Sequence, residues 1–282
     1  MRSIFIYCDG GFGNRYNAML SGLVIAEAAG LEPVIVWPVN NWCGASYEDI
    51  FEIPRVVQNR ELISFVAEKD RQHHLMVEDH LRMNVPNASP NDFQDFSGLL
   101  NYVQESDKDL FYYVALIPPY IDLGLVKRHL LANPFRSTIT ARADAFIRER
   151  NLSDYFGIQI RKTDFGSGGA DDKNLFDLIS QRADSTFFVC SDDKDVEKRF
   201  AALPNVCIYD KRAHVEKLVD GEWNSHTADS SGRVYACNVN RGALSVIEAI
   251  VDLLILSRSK VVRTSGSTFL NAALMLQACG AD

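Results

Sequence analysis

Apolar residues fall along this chain in two alternating rhythms. Short apolar runs at 4–8, 31–37, 109–116, 155–160, 186–190, 206–209 and 260–264 have the length and the polar or Gly boundaries of buried strands. Between them, 16–29, 126–132, 137–150, 174–182, 194–203, 243–257 and a last stretch to about 278 carry apolar positions at helical spacing. In 137–150, for example, Ile139, Ala143, Phe146 and Ile147 share one face. Gly30 ends the first helix as a C-cap residue does. Strands alternating with helices predict an α/β architecture of parallel sheets. The pattern restarts near residue 150. It therefore predicts two Rossmann-like domains, 1–150 and 151–282, facing each other across a cleft, with the final helix a candidate to cross back onto the first. Residues 40–52 read as a structured loop with a helical turn at 47–51. Residues 58–104 have poor periodicity and read as short strands and loops, and 221–240 as a polar loop.

Composition narrows the classes. The 282 residues are 47% hydrophobic and 23% charged, ordinary for a globular chain, with a net charge of −8. That balance disfavours a general nucleic-acid binder but leaves room for a local cationic pocket. The six cysteines contain no C-x-x-C pair, which argues against a zinc cluster or a disulfide framework and for a reducing compartment. The first residues hold too short an apolar run for a signal peptide, and no stretch reaches the ~20 apolar residues of a membrane span. The expectation is a cytoplasmic protein without a transmembrane segment.

The chemistry concentrates at strand ends. The strand at 155–160 runs into Arg161-Lys162-Thr163-Asp164, then into a Gly-rich stretch ending in Asp171-Asp172. In open α/β sheets, ligands bind outside the carboxyl ends of strands. A guanidinium fork there suits a phosphate, and a lysine adds a point charge. The strand at 186–190 ends in Ser191-Asp192-Asp193. Ser265-Gly266-Ser267-Thr268 leads into the last helix, whose free N–H groups and hydroxyls favour an anion. A carboxylate such as Asp192 or Asp252 offers acceptors to ribose hydroxyls or a guanine edge. Together these loops outline a nucleotide-diphosphate site without a P-loop. In the first half, Gly11, Gly13, Asn14 and Arg15 form a second Gly-rich turn into a helix, fit for an anion or close substrate approach. Its spacing is neither G-x-G-x-x-G nor a Walker loop. Metal is not expected: the chain has no H-E-x-x-H and no Cys cluster. His73, His74 and His80 lack metal-site spacing.

Taken together, the Gly11–Arg15 turn, Arg161-Lys162-Thr163-Asp164, Ser191-Asp192-Asp193, and Arg241-Gly242 through Asp252 to Ser265-Gly266-Ser267-Thr268 resemble the GDP-fucose-dependent fucosyltransferases of the nodulation-type α-1,6 and protein O-fucosyltransferase superfamily. The resemblance spans most of the chain and is dense in its second half. It implies a GT-B-like fold and a metal-free, inverting transfer of fucose from GDP-fucose to a glycan hydroxyl. The partners it implies are a nucleotide-sugar donor and a carbohydrate acceptor, with no cofactor. The N-terminal domain would then be the acceptor side and the C-terminal domain the donor side. The family's His-x-Arg-Arg-x-Asp strand end stands here as Gln159-Ile160-Arg161-Lys162-Thr163-Asp164. By this likeness Arg161 holds the β-phosphate, Lys162 replaces a second arginine, and Gln159 replaces a base-contacting histidine. Asp252 matches a base-binding aspartate, and Ser267 lies near a phosphate-contacting serine.

The reaction needs cations or dipoles to meet charge growing on the diphosphate, a role that suits Arg161, Lys162 and the helix start at Ser267. It also needs a carboxylate to take the acceptor proton, with Asp164, Asp171, Asp172 and Asp9 as candidates. Asp164 has a second reading, as the group that orients Arg161. Two other functions fit the same sequence: a transferase of this fold using another deoxyhexose, hexose or pentose nucleotide, and a non-catalytic sugar-binding module.

Overall fold

The computed structural model describes residues 1–53, 57–58, 74–78, 88–164, 172–228, 230, 232, 234–262 and 266–280. The chain divides into two compact units. One comprises Met1–Pro38 and Ser46–Pro134; the other comprises Val39–Ala45 and Phe135–Gly280.

In the first unit five strands pair in parallel: β1 (Ser3–Tyr7), β2 (Glu32–Val36), β3 (Val57–Gln58), β4 (His74–Glu78) and β5 (Asp109–Tyr113), in the order β3-β2-β1-β5-β4. The helix α1 (Phe12–Ala29) packs on β1 and is buried nearly all round, as the apolar and small residues from Ala18 to Ala26 allow. Gly22 makes the fit possible, because a Cβ there would lie 2.7 Å from Ile6 Cγ1. A capping box between Ser46 and Asp49 starts α2 (Tyr47–Ile50). Asp95 and Asp122 cap α3 (Phe96–Gln104) and α4 (Leu123–Leu131), and both helices pack on α1.

The second unit has a four-stranded parallel sheet of β6 (Phe156–Ile160), β7 (Phe187–Ser191), β8 (Val206–Cys207) and β11 (Lys260–Val262), ordered β11-β6-β7-β8. Its helices are α5 (Ser137–Glu149), α6 (Asp172–Ser180), α7 (Lys194–Phe200), α8 (Ala243–Ser257) and α9 (Thr268–Cys279). The period-2 alternation of β6 sets its two faces. Ile158 and Ile160 enter a core with Leu175 and Ile179 of α6 and Val196 and Phe200 of α7. Gly157 faces the other way, towards Ser259 and Leu256, and a Cβ on it would lie 2.7 Å from Leu256 Cδ1. A short antiparallel pair, β9 (Thr227–Ala228) with β10 (Val234–Tyr235), lies between β8 and α8.

Both units are of the expected α/β class. Several local expectations change. The division falls near residue 134, not 150, because α5 packs on α8 and so joins the second unit. The final helix α9 also packs on α8. The helix α3 forms where only short strands and loops were expected; Leu99 and Val103 bury one short face, and Gly98 within it weakens the sequence signal. The 221–240 segment holds the β9–β10 pair and is not a plain loop. Finally, α1 starts at Phe12, so Gly13, Asn14 and Arg15 lie in its first turn.

Candidate functional site

In the second sheet, β7 and β8 extend to one side of β6 and β11 lies on the other. Strand order therefore reverses between β6 and β11, and ligands of open α/β sheets bind at the carboxyl ends of such a reversal. At that point the chain places Arg161, the first residue after β6, and Ser267, ahead of α9.

Arg161 is held by the turn that follows it. Its Nε donates to the Asp164 carbonyl at 3.0 Å and to Asp164 Oδ1 at 3.1 Å, while Nη2 lies 3.0 Å from Oδ1. The arginine side chain is 25% exposed, whereas that of Asp164 is 1% exposed. The second carboxylate oxygen, Oδ2, pairs with Arg241 Nη2 at 2.9 Å. Burial alone would raise the Asp164 carboxyl, but Arg241 and Arg161 outweigh it and hold it below its ordinary value. A carboxylate so stabilised is a poor proton acceptor. Its position fits the orienting role rather than that of general base.

Asp192, at the end of β7, ties the turn to the neighbouring strand. It accepts from Lys162 N at 2.7 Å, Thr163 N at 3.4 Å and Thr163 Oγ1 at 2.6 Å. Both carboxylate oxygens accept from the loop, so Asp192 shapes the site. Lys162 Nζ pairs with Asp172 Oδ2 at 2.9 Å, which Arg199 Nη2 shares at 3.0 Å. Asp171 and Ser265 lie outside the described residues.

Gln159 and Ser267 meet each other. Ser267 Oγ donates to Gln159 Oε1 at 2.9 Å and accepts from Leu270 N at 3.1 Å, so the serine is the N-cap of α9. Thr268 is the first residue of that helix.

Asp252 belongs to a buried ionic cluster. Lys211 Nζ lies 2.6 Å from Asp252 Oδ2 and 2.5 Å from Glu197 Oε1, and donates to the Ser191 carbonyl at 2.6 Å. Glu197 also accepts from Ser191 N at 2.8 Å and meets His214 Nε2 at 3.0 Å. Burial pushes the Asp252 carboxyl up, against the pull of Lys211. Burial would lower the Lys211 ammonium, but Asp252 and Glu197 raise it above its ordinary value. These contacts anchor the end of β7. Asp252 Oδ1 is buried with no hydrogen-bond partner among the described residues.

In the first unit, Gly10 has φ +79°, a left-handed value that favours glycine, and Gly11 is the N-cap of α1 without a side-chain cap. Gly13 and Asn14 follow in the first turn. Arg15 departs from its expected ligand role. It is fully buried, donating to the carbonyls of Gly10 at 2.7 Å and Pro38 at 2.6 Å, with Asp9 Oδ1 at 3.5 Å and its guanidinium over the Trp37 ring. A guanidinium with these bonds braces the turn. Asp9, equally buried, is its counter-ion.

Lys211 and Trp42 did not stand out in the sequence as site residues, and Thr163 and Arg241 did so only within the motifs Arg161-Lys162-Thr163-Asp164 and Arg241-Gly242, without a role of their own. Arg241 sits before α8, over the Trp42 ring at 5.6 Å, with its backbone N–H on the Asn41 carbonyl at 2.9 Å. Gly44 closes the same contact: its N–H donates to the Arg241 carbonyl at 2.7 Å, and a Cβ on it would lie 2.7 Å from that oxygen. The one available signal was the Arg-Gly pair just ahead of a strongly apolar helix.

No protein-family model matches the chain, and no curated protein matches it. Solved structures do. NodZ α-1,6-fucosyltransferase soaked with GDP-fucose is 17% identical, with a TM-score of 0.59 over 98% of this chain and 92% of that one. Fucosyltransferase NodZ from Bradyrhizobium gives 17% and 0.58, over 96% and 91%. POFUT1 in complex with GDP-fucose gives 12% and 0.51, over 97% and 94%. The chain therefore has the GT-B-like fold of these proteins.

Proposed function

We propose that the protein is a glycosyltransferase that moves fucose from GDP-fucose to a glycan hydroxyl, inverting the anomeric centre and using no metal. The observation that carries this reading is the buried carboxylate of Asp164 gripping Arg161 at the strand-order reversal of the second sheet, in a fold shared over nearly the whole chain with a protein soaked with GDP-fucose. Departure of GDP loads negative charge onto its β-phosphate. A guanidinium already fixed by Asp164 meets that charge without reorganising, which is where electrostatic catalysis gains most. The start of α9 adds oriented N–H groups. Asp164, paired with two arginines and held below its ordinary value, is poorly suited to take the acceptor proton and acts through Arg161. Among the described residues no group of three or more His, Cys, Asp or Glu is placed to hold a metal ion, and no helix is long and apolar enough to cross a membrane.

A second reading keeps the transferase and changes the donor. It is favoured by Gln159, whose amide oxygen is engaged by Ser267 in the position where the likeness implies a base-contacting side chain. A thermal-shift screen separates the two, because a ligand raises Tm only by binding the folded protein. GDP-fucose should give the largest shift, ahead of other GDP-sugars and UDP-sugars. A larger shift with another nucleotide sugar selects the second reading.

A further inference from the structure

The network around Arg161 joins four cations and three carboxylates. Its cations are Arg161, Lys162, Arg199 and Arg241; its carboxylates are Asp164, Asp172 and Asp192. Asp164 cancels Arg161, and Asp172 is shared by Lys162 and Arg199. Asp192 adds a negative charge that backbone N–H groups answer. One positive charge is left over, and it vanishes if Arg241 is removed. An Arg161–Asp164 pair alone is neutral and a weak partner for a diphosphate.

Arg241 is also built in rather than draped over the surface. The Trp42 ring, Asp164 Oδ2 and two backbone hydrogen bonds to Asn41 and Gly44 fix it. Two donors at this spot, Arg241 Nη1 and Asn41 Nδ2, are buried without a hydrogen-bond partner among the described residues. Buried unsatisfied donors are costly, and an acceptor-rich group or water nearby relieves them. No side chain caps the start of α8 at Gly242, so the helix end adds to the positive field.

We infer that Arg241 is a positioning residue that supplies the surplus positive charge of the Arg161–Asp164 pair, so that together they form an anion site for a diphosphate. This rests on the nucleotide-sugar reading above and extends it to a residue outside the Arg161–Asp164 turn. Arg241 acts in two ways: its charge offsets Asp164, and its hydrogen bond locks the carboxylate that orients Arg161.

The test is titration calorimetry of the full chain with inorganic pyrophosphate, GDP and guanosine, alongside thermal melts. In Arg241→Gln, affinity for pyrophosphate and GDP should fall about tenfold or more, while guanosine binding is unchanged. A purely structural role would weaken GDP and guanosine alike, and that result overturns the inference. So does a variant that binds pyrophosphate and GDP as well as wild type. Arg241→Lys keeps the charge and should stay within about threefold of wild type for pyrophosphate. If Arg241→Gln does not fold, a tenfold loss in Arg241→Lys with guanosine binding also lost overturns the proposal. A wild-type protein that holds pyrophosphate through Arg241 but binds no nucleotide sugar defeats the transferase reading and leaves this inference standing.

Discussion

Asp164 holds Arg161 twice, through its carboxylate at 3.0 Å and through its own carbonyl, which accepts from Nε at 3.0 Å. The guanidinium is thus fixed by the turn that carries it, three residues on, and keeps a partly exposed edge. Arg161→Ala should lower kcat for GDP-fucose turnover by about 10²–10³, the usual cost of losing one preorganised charge-stabilising donor. Arg161→Lys should recover little, because an ammonium cannot reproduce the fork. Melting temperature should fall only modestly, because the buried Asp164 loses Arg161 but keeps its pairing with Arg241.

Acidic pH should weaken the same link. The folded-state pKa of Asp164 lies below its unfolded value. Its contribution to stability is therefore complete above about pH 4 and is lost as pH falls through the folded value. Urea unfolding at pH 7 and at pH 3 checks this. Wild type should exceed Asp164→Asn in stability at pH 7, and the gap should narrow at pH 3. A gap that widens in acid contradicts the assignment.

Lys211 is the linchpin of the buried cluster with Asp252 and Glu197, all three side chains being no more than 6% exposed. Lys211→Met leaves two buried carboxylates without their cation. Breaking such a pair from one side typically costs about 3–5 kcal/mol. Chemical denaturation should show that loss. A change under 1 kcal/mol, on the same scale, would mean that water reaches the cluster.

Gly157 is fixed by close packing rather than by its dihedral angles. A methyl group there overlaps Ser259 and Leu256, so Gly157→Ala should destabilise by about 1–3 kcal/mol, as overpacking does. The equilibrium unfolding midpoint is the readout.

Much of this was legible because it is local. The runs of apolar residues fixed α8 at 243–257 and placed Arg161, Asp192 and Ser267 at element ends, where short-range patterns speak. What escaped depends on contacts distant in sequence. Arg241 reaches Asp164 only once α8 is docked, and Lys211 reaches Asp252 from the segment after β8. Arg15 looked like an anion ligand because a Gly-rich turn precedes it; the carbonyls of Gly10 and Pro38 that consume its donors carry no sequence signature. Asp192 likewise offered acceptors on paper, and the backbone N–H of Lys162 and the hydroxyl of Thr163 engage them.

The central claim is the use of GDP-fucose, and its most direct measurement is release of GDP from GDP-fucose in excess EDTA, followed by phosphorus NMR for wild type and Arg161→Ala. The account predicts GDP release by wild type, slowed about 10²–10³-fold in the variant. A folded wild-type protein that leaves GDP-fucose intact with and without glycan acceptors, or an Arg161→Ala variant that turns it over at the wild-type rate, contradicts it.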